Sequence, residues 1–495
     1  MLSPAAMAVV VGSVAFAVRY ALTGAIENDH FVTFARALQV VDGDWPVRDF
    51  EDPGFPLSYL LSSAVAALFG TSLLVNVLLC VLLLALTSAV TYLLAFRATA
   101  SQTAALVACA ITVAIYPRLY NATKVIVPVI AIWLAWRYAD EPRPRGIFEL
   151  ALWTAIAFLL RHDYLVYVAL GNIVLLIACH SRVPREAALR LGVYTALSLL
   201  FILPWLLYVH AFEGLPAYFS SAVRFTAAEG RRTATGSLRW LFFAFLAIPM
   251  AGFIVSFRRG LHLNRGQLAS AAVMLVSLDL VFLRDVLAAR IPDVVAPTAV
   301  VAAATAAHVF STRAVTRGAM IAALLIAVLQ LTTKASAPPQ PADAFRRLSD
   351  ITQRLRRVSP EIMPNPSLAP LIGYLAHCTG PDDRIFVAGF GPEISVLAHR
   401  PFAARLPTWL PGYYEDGADV DRALMQLGRE RLGAAVFLDG SMVVARFWPA
   451  LLHAIQARGF EEHTVAAINS RVRVWLPHAE DARRDITTNL PCLPH

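Results

Sequence analysis

The chain has 495 residues, 58% of them apolar, where soluble domains sit nearer half. Mean hydropathy is +0.61, and the apolar residues form long blocks rather than amphipathic stripes. This excludes a water-soluble single domain and fits a membrane domain plus one soluble domain. The formal net charge is +8, yet the arginines sit at the ends of apolar blocks, so membrane topology accounts for them and no nucleic-acid partner is expected.

The N-terminus turns apolar at once, without a basic leader, and reads as a first span rather than a signal peptide. About eleven blocks approach spanning length, near 5–24, 72–97, 102–117, 123–138, 147–160, 164–181, 191–212, 238–257, 267–284, 293–310 and 318–334. The stretch Pro56–Gly70 is too short to span and predicts a juxtamembrane or re-entrant helix with Pro56 in its first turn. Arg19 and Asp279 fall within spans near their outer ends. Either could line a polar cavity, but for Arg19 snorkelling to the interface is the favoured expectation.

Orientation follows from arginine density. Arg137, Arg143 and Arg145, then Arg182, Arg185 and Arg190, then Arg258, Arg259 and Arg265, then Arg313 and Arg317 crowd one set of short loops. That set is expected in the cytoplasm. Residues 25–71 and everything after about 335 then lie outside it. The localisation expected is a bacterial inner membrane, crossed many times, with a periplasmic C-terminal domain.

The expected fold class is a polytopic α-helical membrane protein with a small extracytoplasmic α/β domain. Residues 1–335 form the membrane domain, 336–365 a linker with a basic helix over Ala342–Val358, and 366–495 the α/β domain. Arg384–Ala388 and Ala434–Leu438 predict strands, Arg446–Arg458 a helix, and Thr464–Ile468 with Val472–Leu476 a hairpin about Asn469-Ser470. Cys80, Cys109 and Cys179 fall inside apolar blocks. No CxxC or Cys/His cluster suggests structural zinc. Cys378 and Cys492 are the thiols expected in an oxidising compartment; a disulfide or two separate thiols both remain open.

The first external loop carries the most chemistry. Glu27-Asn28-Asp29-His30 precedes a helix with Phe31, Phe34, Ala35, Leu38 and Val41 at helical spacing. Asp42, Asp44, Asp49, Glu51 and Asp52 follow, with Arg48 among them. Carboxylates crowded beside lipid suggest a polar cavity or a bound ligand. Asp29 reads equally as an N-cap, and Asp42-Gly43-Asp44 reads as a turn in preference to a metal-binding DxD. Further polar clusters emerge on the same side: Tyr116 to Lys124 with Arg118, then Arg161-His162-Asp163, then Arg284-Asp285 with Arg290 and Asp293.

The run Asn28-Asp29, helix, Gly43, Trp45-Pro46, Arg48-Asp49-Phe50, Pro53-Gly54, Pro56-Leu57, Tyr59 and Leu68-Phe69-Gly70 resembles the first external loop of GT-C glycosyltransferases, among them protein O-mannosyltransferases and lipid A aminoarabinose transferases. The resemblance covers about residues 1–335. It implies a polyprenyl-phosphate-linked sugar donor, a first-loop carboxylate as base, inverting transfer, and a glycan, lipid or protein acceptor. Many relatives carry an acidic pair where this chain has Asn28-Asp29, which leaves one carboxylate there with Glu27 offset. On this reading Asp29 and Asp163 are the catalytic candidates. Arg118, Lys124, Arg161, Arg284 and Arg290 are the donor-phosphate candidates. Glu27, His30, Arg48 and Asp49 are the remaining first-loop candidates. No cofactor is required, although the loop carboxylates leave room for a divalent metal. The rival readings are a lipid or solute transporter, disfavoured because no repeat of the span pattern is seen, and an inactive relative acting as an assembly partner.

Overall fold

The structure is a computed structural model. It describes the chain except Met1, Tyr116 and residues 234–238, 258–262, 264, 281–289, 334–340, 466–467, 469–470, 479–482 and 493–495. Arg284 and the expected Asn469-Ser470 turn therefore lie outside the described residues.

The helices are α1 (Pro4–Ala21), α2 (Asn28–Val41), α3 (Pro56–Phe69), α4 (Leu73–Thr99), α5 (Gln102–Ala114), α6 (Ala122–Asp140), α7 (Pro144–Leu160) and α8 (Tyr164–His180). They continue with α9 (Pro184–Phe212), α10 (Leu215–Thr233), α11 (Arg239–Ser256), α12 (Arg265–Asp279), α13 (Ile291–Val309), α14 (Thr312–Thr333) and α15 (Pro341–Arg357). Every apolar block expected to span falls on one of them. Among the described residues, five segments are long and apolar enough to cross a bilayer: α1, α4, α6 with its leading turn, α9 and α13. Only 22% of the most apolar 18-residue stretch of α1 and of α9 is buried by protein, so lipid must cover the rest of each stretch.

Local chemistry sets the ends. Ser3 Oγ accepts from Ala6 N ahead of Pro4 at the start of α1, and Ser101 caps α5 in the same way. Pro56 opens α3, and Gly70, at φ +103°, closes it.

The chain divides into two compact units that do not follow the expected linear order. One comprises residues 1–22, 78–208 and 229–349; the other comprises 23–77, 209–228 and 350–495. The first loop thus folds with the C-terminal residues, not with the membrane helices.

In the first unit α12 packs along α8, α11 against α12 and α13, and α13 and α14 against α5. Small residues permit the closest approach: a Cβ at Gly171 would lie 3.0 Å from Ser270 O, and one at Gly266 would lie 3.2 Å from Ala178 Cβ. Arg19 is a correction. It is buried, donates to Pro117 O, and lines a small cavity of about 20 Å³ with Ser88 and Thr112, so it does not snorkel outward.

In the second unit the C-terminal elements are α16 (Ala369–Cys378), α17 (Glu393–Leu397), α18 (Gly417–Arg429), α19 (Ser441–Phe447) and α20 (Pro449–Gln456). The strands are β1 (Arg384–Ala388), β2 (Leu432–Phe437), β3 (Phe460–Thr464), β4 (Arg473–Pro477), β5 (Arg483–Arg484) and β6 (Pro491–Cys492). The main sheet has order β1-β2-β4-β3, with β1 and β2 parallel and the other pairs antiparallel. Strand alternation splits its core: Ile385, Val387, Ala434 and Val436 face one cluster, and Phe386, Ala388, Ala435 and Phe437 the other.

Three expectations are corrected here. The helix expected over 446–458 breaks at Trp448-Pro449, because proline disfavours helical backbone in the residue before it. The first hairpin strand ends at Thr464, where it was expected to begin; its edge position tolerates exposed Glu461 and Glu462, and Glu462 pairs with Arg473 at 3.0 Å. Between the expected spans 191–212 and 238–257 no helix was expected, and α10 lies there. It buries Tyr218, Ser221 and Ala228 on one face and lacks the apolar run that marks a span. Cys378 and Cys492 form a disulfide, with Cα atoms 4.8 Å apart, that ties β6 to α16.

Candidate active site

Within the second unit, most first-loop carboxylates are committed to the fold. Asp42 is the C-cap of α2, and Gly43 follows at φ +100°, so Asp42-Gly43-Asp44 is a helix-ending turn. Asp44 pairs with Arg384 at 2.7 Å, and Arg48 with Asp49 at 2.6 Å. Glu51 accepts from Ser221 Oγ at 2.8 Å and faces Arg405 at 3.7 Å. Asp52 accepts from Tyr218 OH at 2.6 Å and from the backbone N–H groups of Gly54 and Phe55. The acidic crowding is therefore largely structural: Arg48 of the loop answers Asp49, while Arg384 and Arg405, which sequence spacing does not bring near the loop, answer Asp44 and Glu51.

Asp29 differs. Helix α2 begins at Asn28 with Glu27 as its N-cap residue, so Asp29 lies inside the first turn and is not the cap. It is exposed and makes no hydrogen bond or ion pair with the described residues. Asn28 Nδ2 donates to Phe390 O at 3.2 Å, and α17 packs on α2. His30 is buried beside Asn76, and burial pulls it down to about 4, so it is neutral near pH 7.

In the first unit the basic candidates converge. Arg118 and Lys124 both lie over the Tyr120 ring, at 5.9 and 5.5 Å, and Lys124 Nζ donates to Asn121 Oδ1 at 2.6 Å. Arg161 pairs with Asp163 at 2.8 Å, and Arg290 with Asp293 at 3.9 Å. Lys124, Arg290 and Arg161 all act electrostatically on the buried Asp293 carboxyl. Three cations against two carboxyls, Asp163 and Asp293, leave one net positive charge, an arrangement suited to an anion.

Compared with solved structures, the chain matches ArnT from Cupriavidus metallidurans bound to undecaprenyl phosphate, at 16% identity and a TM-score of 0.59. The match covers 96% of this chain and 98% of that one. The apo state of that protein matches at 15% identity and a TM-score of 0.53, covering 95% and 97%. The chain has the GT-C glycosyltransferase fold. No family model matches it, and no curated protein does.

The GT-C fold here also holds polar groups that sequence reasoning missed. Arg422 bridges Asp419 at 2.5 Å and Glu213 at 3.4 Å, and burial beside Glu51 pushes Glu213 up to about 7. Glu393, on α17, is fully buried, and no other described residue hydrogen-bonds its carboxylate oxygens. A glutamate written between Pro392 and Ile394 gives no sign of this, because its burial comes from packing on α2. Among the described residues no group of three or more His, Cys, Asp or Glu could hold a metal ion.

Burial holds Glu393 up at about 7, against an ordinary 4.5. The fold disfavours the charged form, so stability present below about pH 4.5 is lost as pH rises through about 7. The loss is bounded at about 3 kcal/mol. Glu393→Gln should raise the melting temperature at pH 8 and leave it nearly unchanged at pH 4.5. Equal shifts at the two pH values would show that the carboxyl is not titrating in the fold.

Proposed function

We propose that this GT-C chain is a membrane glycosyltransferase that moves a sugar from a polyprenyl-phosphate donor to an acceptor hydroxyl outside the cytoplasm of a bacterium, with inversion. Asp29 takes the proton from the acceptor hydroxyl. The acceptor oxygen then attacks the anomeric carbon, and the bond from that carbon to the phosphate oxygen breaks. Polyprenyl phosphate leaves with the extra negative charge, which Arg118, Lys124, Arg161, Arg284 and Arg290 offset. Asp163 is a second acidic group near the sugar or acceptor, and the C-terminal domain shapes the acceptor side.

The observation that carries this reading is the state of Asp29, exposed and without a partner among the described residues, while Asp44, Asp49, Glu51 and Asp52 are bound into the fold. A base must be free to reach its proton. The gathering of Lys124, Arg161 and Arg290 supports the leaving-group role. The test is turnover of radiolabelled undecaprenyl-phosphate sugars by the purified chain in proteoliposomes. A transporter would move the label without breaking the sugar–phosphate bond, and an inactive relative would bind without releasing sugar.

Removing one phosphate-facing cation should matter more for turnover than for folding. Arg290→Ala and Lys124→Ala should each lower the transfer rate roughly 10- to 100-fold, toward the range seen when a preorganised donor is deleted, with expression maintained. Near-parental transfer by both would leave them as charges that set topology.

A further inference from the structure

Asp279 ends α12 and is fully buried, and neither of its carboxylate oxygens has a hydrogen-bond partner among the described residues. An ionisable group inside a membrane helix is costly and marks a site more often than a packing contact.

Its position follows from helix register. Gly266 of α12 meets Ala178 near the end of α8, and Gly171 in mid-α8 meets Ser270 and Met274. The two helices therefore run antiparallel, with one advancing as the other recedes. Continuing that register to the end of α12 brings Asp279 level with the first turn of α8, at Tyr164. Tyr164 in turn interacts electrostatically with Arg161, Asp163 and Asp293. Asp293 is the carboxyl that Lys124, Arg290 and Arg161 surround. A carboxyl without a hydrogen-bond partner among the described residues thus sits at the same end of the bundle as the cationic cluster.

We infer that Asp279 is a sugar-positioning residue: it receives hydrogen bonds from donor hydroxyl groups when the donor phosphate is held by the cations. The cluster supplies charge for a phosphate, and the carboxyl supplies what a phosphate cannot use and a sugar can, an acceptor for hydroxyl protons. The sugar hydroxyls would be the partner that the described residues do not supply, since a buried polar group left without one is destabilising. The inference rests on the proposed transferase reading.

The experiment compares Asp279→Asn and Asp279→Leu with the parent in detergent and in proteoliposomes. Two probes are used: undecaprenyl phosphate alone, and whichever undecaprenyl-phosphate pentose or hexose the parent turns over. Both variants should bind undecaprenyl phosphate as the parent does, which also reports that they are folded. Both should show a KM for the sugar-bearing donor raised at least tenfold. Asp279→Leu should melt at a higher temperature than the parent, the reverse of what loss of a structural contact would give. Parental KM and rate in either variant would overturn the inference, as would failure of both to fold. If the parent binds no undecaprenyl phosphate and transfers no sugar, the transferase reading itself falls, and this inference with it.

Discussion

Asp29→Asn should fold, bind undecaprenyl phosphate like the parent, and transfer sugar at least about 100-fold more slowly, since a positioned base contributes roughly 10²–10⁴ in rate. The substitution keeps the side-chain shape and removes only the ability to take a proton. Asp29 is not the N-cap of α2, so capping is not at stake. What the fold loses is one negative charge in the first turn of that helix, about 0.3–1 kcal/mol. The measurements are turnover of a radiolabelled donor in proteoliposomes and the melting temperature of the same preparation. A stable Asn variant working at the parental rate would remove Asp29 as the base. Glu27, Asp49 and Asp163 would then be tried in turn, although Asp49 is already paired with Arg48, and Asp163 with Arg161.

The second large effect concerns the Cys378–Cys492 disulfide. It joins residues 114 apart in sequence, and closing a loop of that size restricts the unfolded chain by about 4–5 kcal/mol. Total stability of a domain is only about 5–15 kcal/mol. The bond also fastens a tail with few other anchors: β5 and β6 pair only with each other, and Tyr374 OH donates to Pro491 O at 2.5 Å. Cys378→Ser and Cys492→Ser, or reductant on the parent, should therefore produce a large drop in the melting temperature of the C-terminal domain in the full chain. Alkylation of protein trapped directly from cells should find both thiols blocked, because a disulfide persists in an oxidising compartment and not in a reducing one. Free thiols at both positions would contradict an external C-terminal domain. An unchanged melting temperature after verified reduction would show that the bond adds nothing to stability.

The membrane character, the helix that lies on every apolar block, and strand β1 were legible in the sequence because each is local. A run of apolar residues must be helical in lipid, where backbone groups have no other partner. A five-residue run such as Arg384–Ala388, buried at its last four residues, fits a buried strand, although β1 ends its sheet. What tertiary structure alone decided is which polar groups are committed and which are left over. Asp44, Glu51 and Asp52 look like Asp29 on the page, and only the approach of Arg384, Arg405, Ser221 and Tyr218 separates them. In the same way Lys124, Arg161 and Arg290 come from three separate stretches, and only packing of their helices gathers them around Asp293. The physical reason is one of range. Hydrophobic periodicity and capping act over a few residues, whereas the pairing of buried charge is fixed by contacts between residues far apart in the chain.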